Sequence, residues 1–360
     1  VYKRQNLASA VFATLSATML YFAGRRLWKE PFAALLAAVL FGLTPTLWSQ
    51  AVQAEVYALH ALFVATALWL MALMLDHGSR RDACATPVFN WPANSNWQRP
   101  IWLLALTIGL GLTNHLTTII LIPAAILAVW LAYGNCLRSQ DWKANGTLLL
   151  KAGLAFLLPL LLYAYLPLRW GALLDQPMGL ARFMDWVIGG RFQGALQLAA
   201  WLTDFTRYEI VWRLLLAEWG WFNLFLALLG LLYSAFRSWR VALILLLVWT
   251  GYIFYALNYH VPDLAVFLIP AHAVIALFWG AGLAGILTIA VAQLARHGGM
   301  AWRVPLSVAI TLMLILPALL RLLNNWPDTA YRDQVALQAW GEAVLSLPLE
   351  QNAAVLADSE

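Results

Sequence analysis

Charge is what this sequence has least of. Asp, Glu, Lys and Arg make up 11% of its 360 residues, against about 25% in soluble domains. That scarcity excludes an ordinary soluble domain, because 63% of the residues are hydrophobic and a soluble core of this size cannot hide so much apolar surface. Cysteine is nearly absent. Cys84 and Cys136 are the only two; both fall in loops assigned below to the cytoplasm, so no disulfide is expected. The apolar–polar alternation of a membrane β-barrel is missing, and so are a nucleotide-binding glycine loop, a zinc spacing and a nucleophile elbow. The net charge of +5 resides in loop Lys and Arg and does not suggest a nucleic-acid partner. The twenty Trp suit interfacial belts and sugar platforms equally, and decide nothing.

What is present is a series of apolar runs of membrane-spanning length, at about 7–23, 32–47, 56–75, 101–113, 116–133, 148–168, 219–236, 241–257, 264–292 and 304–320. The fold class they predict is an all-α polytopic membrane protein of about ten transmembrane helices. The fourth run is short for a hydrocarbon core about 30 Å thick. Basic residues follow every second run: Arg25, Arg26 and Lys29; Arg80, Arg81 and Arg99; Arg138, Lys143 and Lys151; Arg237 and Arg240; Arg296 and Arg303. The positive-inside rule puts these loops in the cytoplasm. The chain then starts outside the cytoplasm, so a further span upstream is expected. Residues 1–5 read as a non-native leader, 6–323 as the transmembrane domain, and 324–360 as the start of an extracytoplasmic region. The setting this implies is a plasma membrane, the bacterial inner membrane, with the working face outside.

The longest outer segment, 169–218, mixes Trp with Arg and Asp. It reads as amphipathic helices lying in the membrane interface, broken at Gly189-Gly190-Arg191. The most informative stretch is 48–60, Trp-Ser-Gln-Ala-Val-Gln-Ala-Glu-Val-Tyr-Ala-Leu-His. It places Gln53, Glu55 and His60 between two apolar runs, where a carboxylate is expensive and invites a functional reading. A short solvated loop is the alternative. Asn114, His115, Arg169, Asn258, Tyr259 and Asp263 fall at the same outer ends. Each has a structural alternative too. Asn114 and His115 suit a turn cap, Arg169 suits a side chain that snorkels to the headgroups, and Asp263 suits a helix N-cap. His272, inside the ninth run, reads as a satisfied core histidine.

Several stretches together carry a resemblance. Trp48-x-Gln50-x-x-x-Ala54-Glu55-Val56-Tyr57 resembles the tryptophan-rich segment of a family of membrane glycosyltransferases. That family includes the animal transmembrane O-mannosyltransferase and many bacterial homologues. Gly109-Leu-Gly-Leu-Thr-Asn114-His115-Leu-Thr-Thr resembles its Gly-Leu-x-x-x-Asn-x-His-Thr element. Residues 158–169, Leu-Pro-Leu-Leu-Leu-Tyr-Ala-Tyr-Leu-Pro-Leu-Arg, resemble its Leu-Pro-Tyr-x-x-Leu-Pro segment, and Asn258-Tyr-His-Val-Pro-Asp263 resembles the turn before a late span. The resemblance implies the GT-C architecture and transfer of a sugar, mannose being one option, from a polyprenyl-phosphate carrier to a hydroxyl of a protein or glycan acceptor at the outer face of the bilayer. No cofactor is assigned, and the sequence does not decide whether a divalent cation takes part.

It also implies an inverting displacement whose general base belongs to an Asp-Ser-Gly-Glu loop. No such loop occurs here, so the base is expected upstream. Glu55 is left a supporting catalytic role. Gln53, His60, Asn114, His115, Arg169, Asn258, Tyr259 and Asp263 are left to bind substrate, with Arg169 the first choice for the phosphate. The competing reading is a transporter or lipid flippase. Transporters commonly show internal repeats and polar groups at the midplane; here there is no repeat, and the polar residues gather at one face.

Overall fold

The structure, a computed structural model, describes residues 2–78 and 97–297, together with 316, 319–323, 339, 342–343 and 346. Long apolar runs turn into helices because only a helix satisfies every backbone polar group within its own segment when no water is near. In chain order they are α1 (Tyr2–Trp28), α2 (Pro31–Gly42), α3 (Pro45–Ala51), α4 (Tyr57–Gly78), α5 (Arg99–Asn114), α6 (Leu121–Ser139), α7 (Trp142–Leu160), α8 (Tyr165–Leu174), α9 (Leu180–Val187), α10 (Ala200–Thr203), α11 (Thr206–Arg237), α12 (Trp239–Asn258), α13 (Leu264–Phe267) and α14 (Ile269–His297). Short 3-10 turns at Leu116–Ile120, Leu161–Ala164 and Gly190–Ala195 join some of them. One isolated antiparallel bridge, Leu196 to Tyr259, is the sole β-type pairing among the described residues.

Local chemistry sets the breaks. Pro31 and Pro45 open α2 and α3 behind the extended residues Glu30 and Thr44, as proline does at the first helical turn. The Asp141 side chain accepts from the Ala144 N–H at 2.7 Å and starts α7. Pro159, near the end of α7, precedes the 3-10 turn that leads into α8. Gly220 holds φ 65° and ψ 164° inside α11, a conformation essentially reserved for glycine, and kinks that helix near its middle.

Seven helices or continuous helix runs among the described residues are long and apolar enough to cross a membrane; α2 and α3, bent by 66°, make an eighth if counted as one broken span. Of the ten expected runs, the second is this bent pair. The fourth is α5, which at 16 residues falls short of a full crossing. The tenth lies largely outside the described residues. The expected outer segment is helical over much of its length, and from Thr206 onward it is already the first part of α11. The centre is α4 and α14, each burying 72% of its membrane-length window, whereas the run from α7 to α8 buries 11% and lies at the edge. Gly230 of α11 and Gly282 of α14 face each other so closely that a Cβ on either would strike the partner's backbone. Small residues of this kind let membrane helices approach.

The expectation of free cysteines is corrected: Cys136, buried near the end of α6, is disulfide-bonded. The expectation rested on a reducing compartment, which governs whether a disulfide persists and does not keep two cysteines apart in the fold. Cys84 lies outside the described residues.

The two ends of the bundle differ. At one, Asp76 of α4 pairs with Arg26 at 3.4 Å and Lys29 at 2.5 Å, and Gln98 meets Gln140 at 3.5 Å. The other end carries α3, the start of α4, the end of α5 and the 258–263 turn.

Candidate active site

The bent segment α3 is held from below by a buried acid. Glu218 is 7% exposed; its carboxylate accepts the Thr46 N–H at 3.0 Å and the Thr46 hydroxyl at 2.8 Å. The N–H is an orphan donor of the helix N-terminus, a natural carboxylate site, and the side-chain hydroxyl adds a second bond. Arg321 donates to the Glu218 carbonyl and lies over the Trp219 ring at 4.7 Å. Trp219 Nε1 donates to His272 Nδ1 at 3.0 Å, so His272 is the satisfied core histidine its position suggests.

Beyond α3 the chain crosses an exposed turn into α4. Gln53 and Glu55 lie in that turn, both exposed. The end of α5 is tied to it, since Asn114 Nδ2 donates to the Val56 carbonyl at 3.1 Å. The two stretches most informative in sequence, 48–60 and 109–118, are therefore joined in space.

Their junction is a histidine pair. His60 is buried and stacks at 4.7 Å on His115. Thr117 Oγ1 lies between the rings, 3.2 Å from His60 Nε2 and 2.7 Å from His115 Nδ1. Thr118 Oγ1 meets His60 Nδ1 at 3.3 Å, and the Thr117 N–H donates to His115 Nδ1 at 3.4 Å. One proton arrangement satisfies all of these contacts. Thr118 donates to His60 Nδ1, His60 Nε2–H donates to Thr117, and Thr117 donates to His115 Nδ1. The tautomers are assigned from that network. The assignment leaves His115 Nε2 carrying a hydrogen, and it is the one ring nitrogen of the pair with no hydrogen-bond partner among the described residues. Burial pushes His115 down to about 4, so at neutral pH it is an uncharged donor.

Around His115 an aromatic wall closes the site. Tyr57 and Phe267 each lie at 5.5 Å from the His115 ring, and Tyr259 lies at 5.0 Å from both Phe267 and Tyr255. The Tyr57 hydroxyl donates to Asp263 at 3.3 Å, and the carboxylates of Asp263 and Glu55 both act electrostatically on that hydroxyl. Among the described residues no three His, Cys, Asp or Glu side chains gather as a metal-holding group.

The 258–263 turn is positioned by an arginine. Arg207, 6% exposed, donates to the carbonyls of Leu257 at 3.3 Å, Ala256 at 2.8 Å and Tyr259 at 2.5 Å. It satisfies the open carbonyls at the end of α12. Asn258 is fully buried. Its side chain accepts from the Trp201 N–H at 3.3 Å and donates to the Phe254 carbonyl at 2.7 Å. Outside the wall, the hydroxyl and N–H of Thr206, aided by His260 at 3.6 Å, hold the Asp204 carboxyl below the usual carboxylate range.

The structure thus brings together Tyr57, His60, Asn114, His115, Tyr259 and Asp263. Glu55 and Gln53 sit at the rim. Asn258 is inside, with its side chain occupied by backbone groups. Arg169 is exposed on α8, and no hydrogen bond or ion pair joins it to the cluster. Thr117, Thr118, Tyr252 (whose hydroxyl donates to the Thr117 carbonyl at 3.2 Å), Phe267, Arg207 and Glu218 were not singled out from sequence. Thr117 and Thr118 do belong to the quoted Asn-His-Leu-Thr-Thr element, which was the available signal.

A family match covers both stretches. The family described as the N-terminal domain of protein O-mannosyl-transferase TMEM260 matches residues 1–135. The mouse protein O-mannosyl-transferase TMEM260 is 26% identical over 164 residues, 46% of this chain and 21% of that protein. The chain thus aligns with about a fifth of the length of this relative. A crystal structure of the Archaeoglobus fulgidus oligosaccharyltransferase, complexed with zinc and sulfate, superposes with a TM-score of 0.45 at 17% identity, covering 88% of this chain and 40% of that one.

Proposed function

We propose that this chain, similar through its first 135 residues to the protein O-mannosyl-transferase TMEM260 N-terminal domain, is the membrane part of a glycosyltransferase. It moves a sugar, mannose by that similarity, from a polyprenyl-phosphate carrier to a hydroxyl of a protein or glycan acceptor at the extracytoplasmic face. One observation carries the reading. The matched region contains both 48–60 and 109–118, and the fold joins them through Asn114 and Val56 into one polar cluster at a single end of an apolar bundle. A transporter would need its polar groups along a path through the membrane.

The chemistry is an inverting displacement at the sugar's anomeric carbon. The acceptor oxygen forms the new bond, the bond to the carrier phosphate breaks, and the acceptor proton passes to a general base. His115 Nε2–H suits an oxygen that gains charge as the phosphate leaves; a neutral donor already fixed in place needs little reorganisation at that moment. His60, with both nitrogens engaged, positions His115 through Thr117. Tyr57 and Asp263 offer a hydroxyl and a carboxylate for sugar hydroxyls, and Tyr259 and Phe267 offer a ring face. Glu55 keeps a supporting role at the rim, orienting acceptor or sugar. Arg169 is the cation for the carrier phosphate, exposed and without a partner among the described residues.

The test is transfer of labelled sugar by the complete protein in reconstituted membranes. Glu55→Gln is expected to slow transfer about tenfold, the loss of roughly 1.4 kcal/mol of transition-state stabilisation, with folding intact. Arg169→Gln is expected to show its deficit mainly at low carrier concentration. Normal transfer by Glu55→Gln would return residues 53–55 to a solvated turn.

A further inference from the structure

The end of the bundle away from the candidate active site holds a cavity that the proposed reaction does not use. Its volume is about 550 Å³, and Met19, Phe22, Arg25, Arg26, Lys29 and Trp69 contribute to its lining. The lining is graded. Arg25, Arg26 and Lys29 stand at the end of α1, while Phe22 and Met19 lie one and two turns back along that helix. Phe22 is 40% exposed and meets Trp69 at 6.5 Å. Cations therefore form the rim, with apolar and aromatic surface beneath.

Among the described residues the three cations Arg25, Arg26 and Lys29 outnumber the nearby carboxylates Asp76 and Glu30. Asp76 pairs with both Arg26 and Lys29, one carboxylate between two cations. Arg25 is exposed and pairs with no carboxylate among the described residues. Lys29 adds a separate observation. It holds φ 62° just past the end of α1, with its N–H bonded to the Arg25 carbonyl at 3.2 Å. Glycine is the usual residue at such a helix end. A lysine there accepts left-handed strain and sets an ammonium at the cavity rim.

We propose that this cavity binds the headgroup of an anionic glycerophospholipid from the leaflet on the basic side of the bundle, its phosphate between Arg25, Arg26 and Lys29 and its first acyl carbons on Phe22, Met19 and Trp69. The charge rule makes that leaflet cytoplasmic, where anionic lipids concentrate and attract basic residues beside membrane helices. A phosphate ion would use the cations alone; the apolar floor fits a lipid. The proposal does not rest on the transferase reading.

The complete protein, in neutral detergent, is titrated with phosphatidylglycerol and with phosphatidylcholine of the same acyl chains. Retained lipid is counted by native mass spectrometry and thermal stability is followed in parallel. Phosphatidylglycerol is expected to be retained in preference, and inorganic phosphate in tenfold excess to leave it in place. Arg25→Gln should weaken its retention about fivefold, the effect of one cation beside an anionic surface, and Arg25→Gln with Lys29→Gln more than tenfold. Because Arg25 is exposed and has no ion-pair partner among the described residues, the single variant should fold normally and decides the matter if the double variant does not. Equal retention of the two lipids, or unchanged retention by Arg25→Gln, would overturn the proposal. Displacement by inorganic phosphate would make the cavity a free-anion site and overturn it equally.

Discussion

Thr117→Val tests the histidine pair with the least disturbance. Valine has nearly the shape of threonine, so the cavity term is small and only the hydroxyl is lost. Thr117 is 6% exposed and His60 2%. The Thr117 hydroxyl serves His60 Nε2 at 3.2 Å and His115 Nδ1 at 2.7 Å. Without it His60 Nε2–H is buried and unpaired, which costs about 1–3 kcal/mol. His115 Nδ1 keeps the Thr117 N–H at 3.4 Å and loses less. The expected total is about 2–3 kcal/mol of stability. Thr117→Ser keeps the hydroxyl and should cost about 1 kcal/mol, the worth of a buried methyl. Thr118→Val strips only His60 Nδ1 and should fall between. Because both threonines act on one ring, the Val/Val double variant should be non-additive. Unfolding in mixed micelles measures stability, and sugar transfer measures function; Thr117→Val should slow transfer at least tenfold beyond any loss of folded protein. Equal damage from Ser and Val, or a silent Val, would refute the hydroxyl bridge.

Three further perturbations follow from the same geometry. Burial holds His115 at about 4 against about 6.5 when unfolded. Between those values the unfolded chain takes up a proton at this residue that the folded chain does not, so His115 alone should cost about 3 kcal/mol of stability as pH drops from about 6.5 to 4 and add nothing further below; His115→Gln should lessen the slope of the unfolding profile over that range. Arg207→Gln should cost about 3 kcal/mol or more, since three carbonyls at the end of α12 lose a charged donor, and a thermal shift of that variant checks it. Gly220→Ala should cost on the order of 1–3 kcal/mol from backbone strain alone, because nothing lies within 4 Å of where its Cβ would stand; an unchanged unfolding midpoint would count against the kink.

Most of the helical frame was legible because apolar run length decides it. The gathering of Tyr57, His60, Asn114, His115, Tyr259 and Asp263 at one end was legible because alternating loop charge assigns every helix end to a side. Depth within that end was not. Glu55 and His60 are five residues apart, yet one is exposed and the other buried, since α4 starts between them at Tyr57. Glu218 and Arg207 looked like polar residues of an amphipathic outer segment; α11 runs through that segment and carries both inward, where each finds backbone partners distant in sequence. Arg321 reaches Glu218 and Trp219 across a hundred residues, a contact with no local signature. The disulfide at Cys136 was missed for a different reason, because loop charge assigned both cysteines to a reducing compartment.

The fate of the sugar separates a transferase from a transporter. The complete protein is reconstituted in vesicles with a labelled sugar on polyprenyl phosphate and an acceptor with free hydroxyls, and label is followed both on the acceptor and across the bilayer. Label covalently attached to the acceptor, lost on His115→Ala while the protein stays folded, is the predicted result. Label that crosses the membrane still attached to its carrier and never reaches the acceptor would contradict it, and would make the polar cluster part of a transport path.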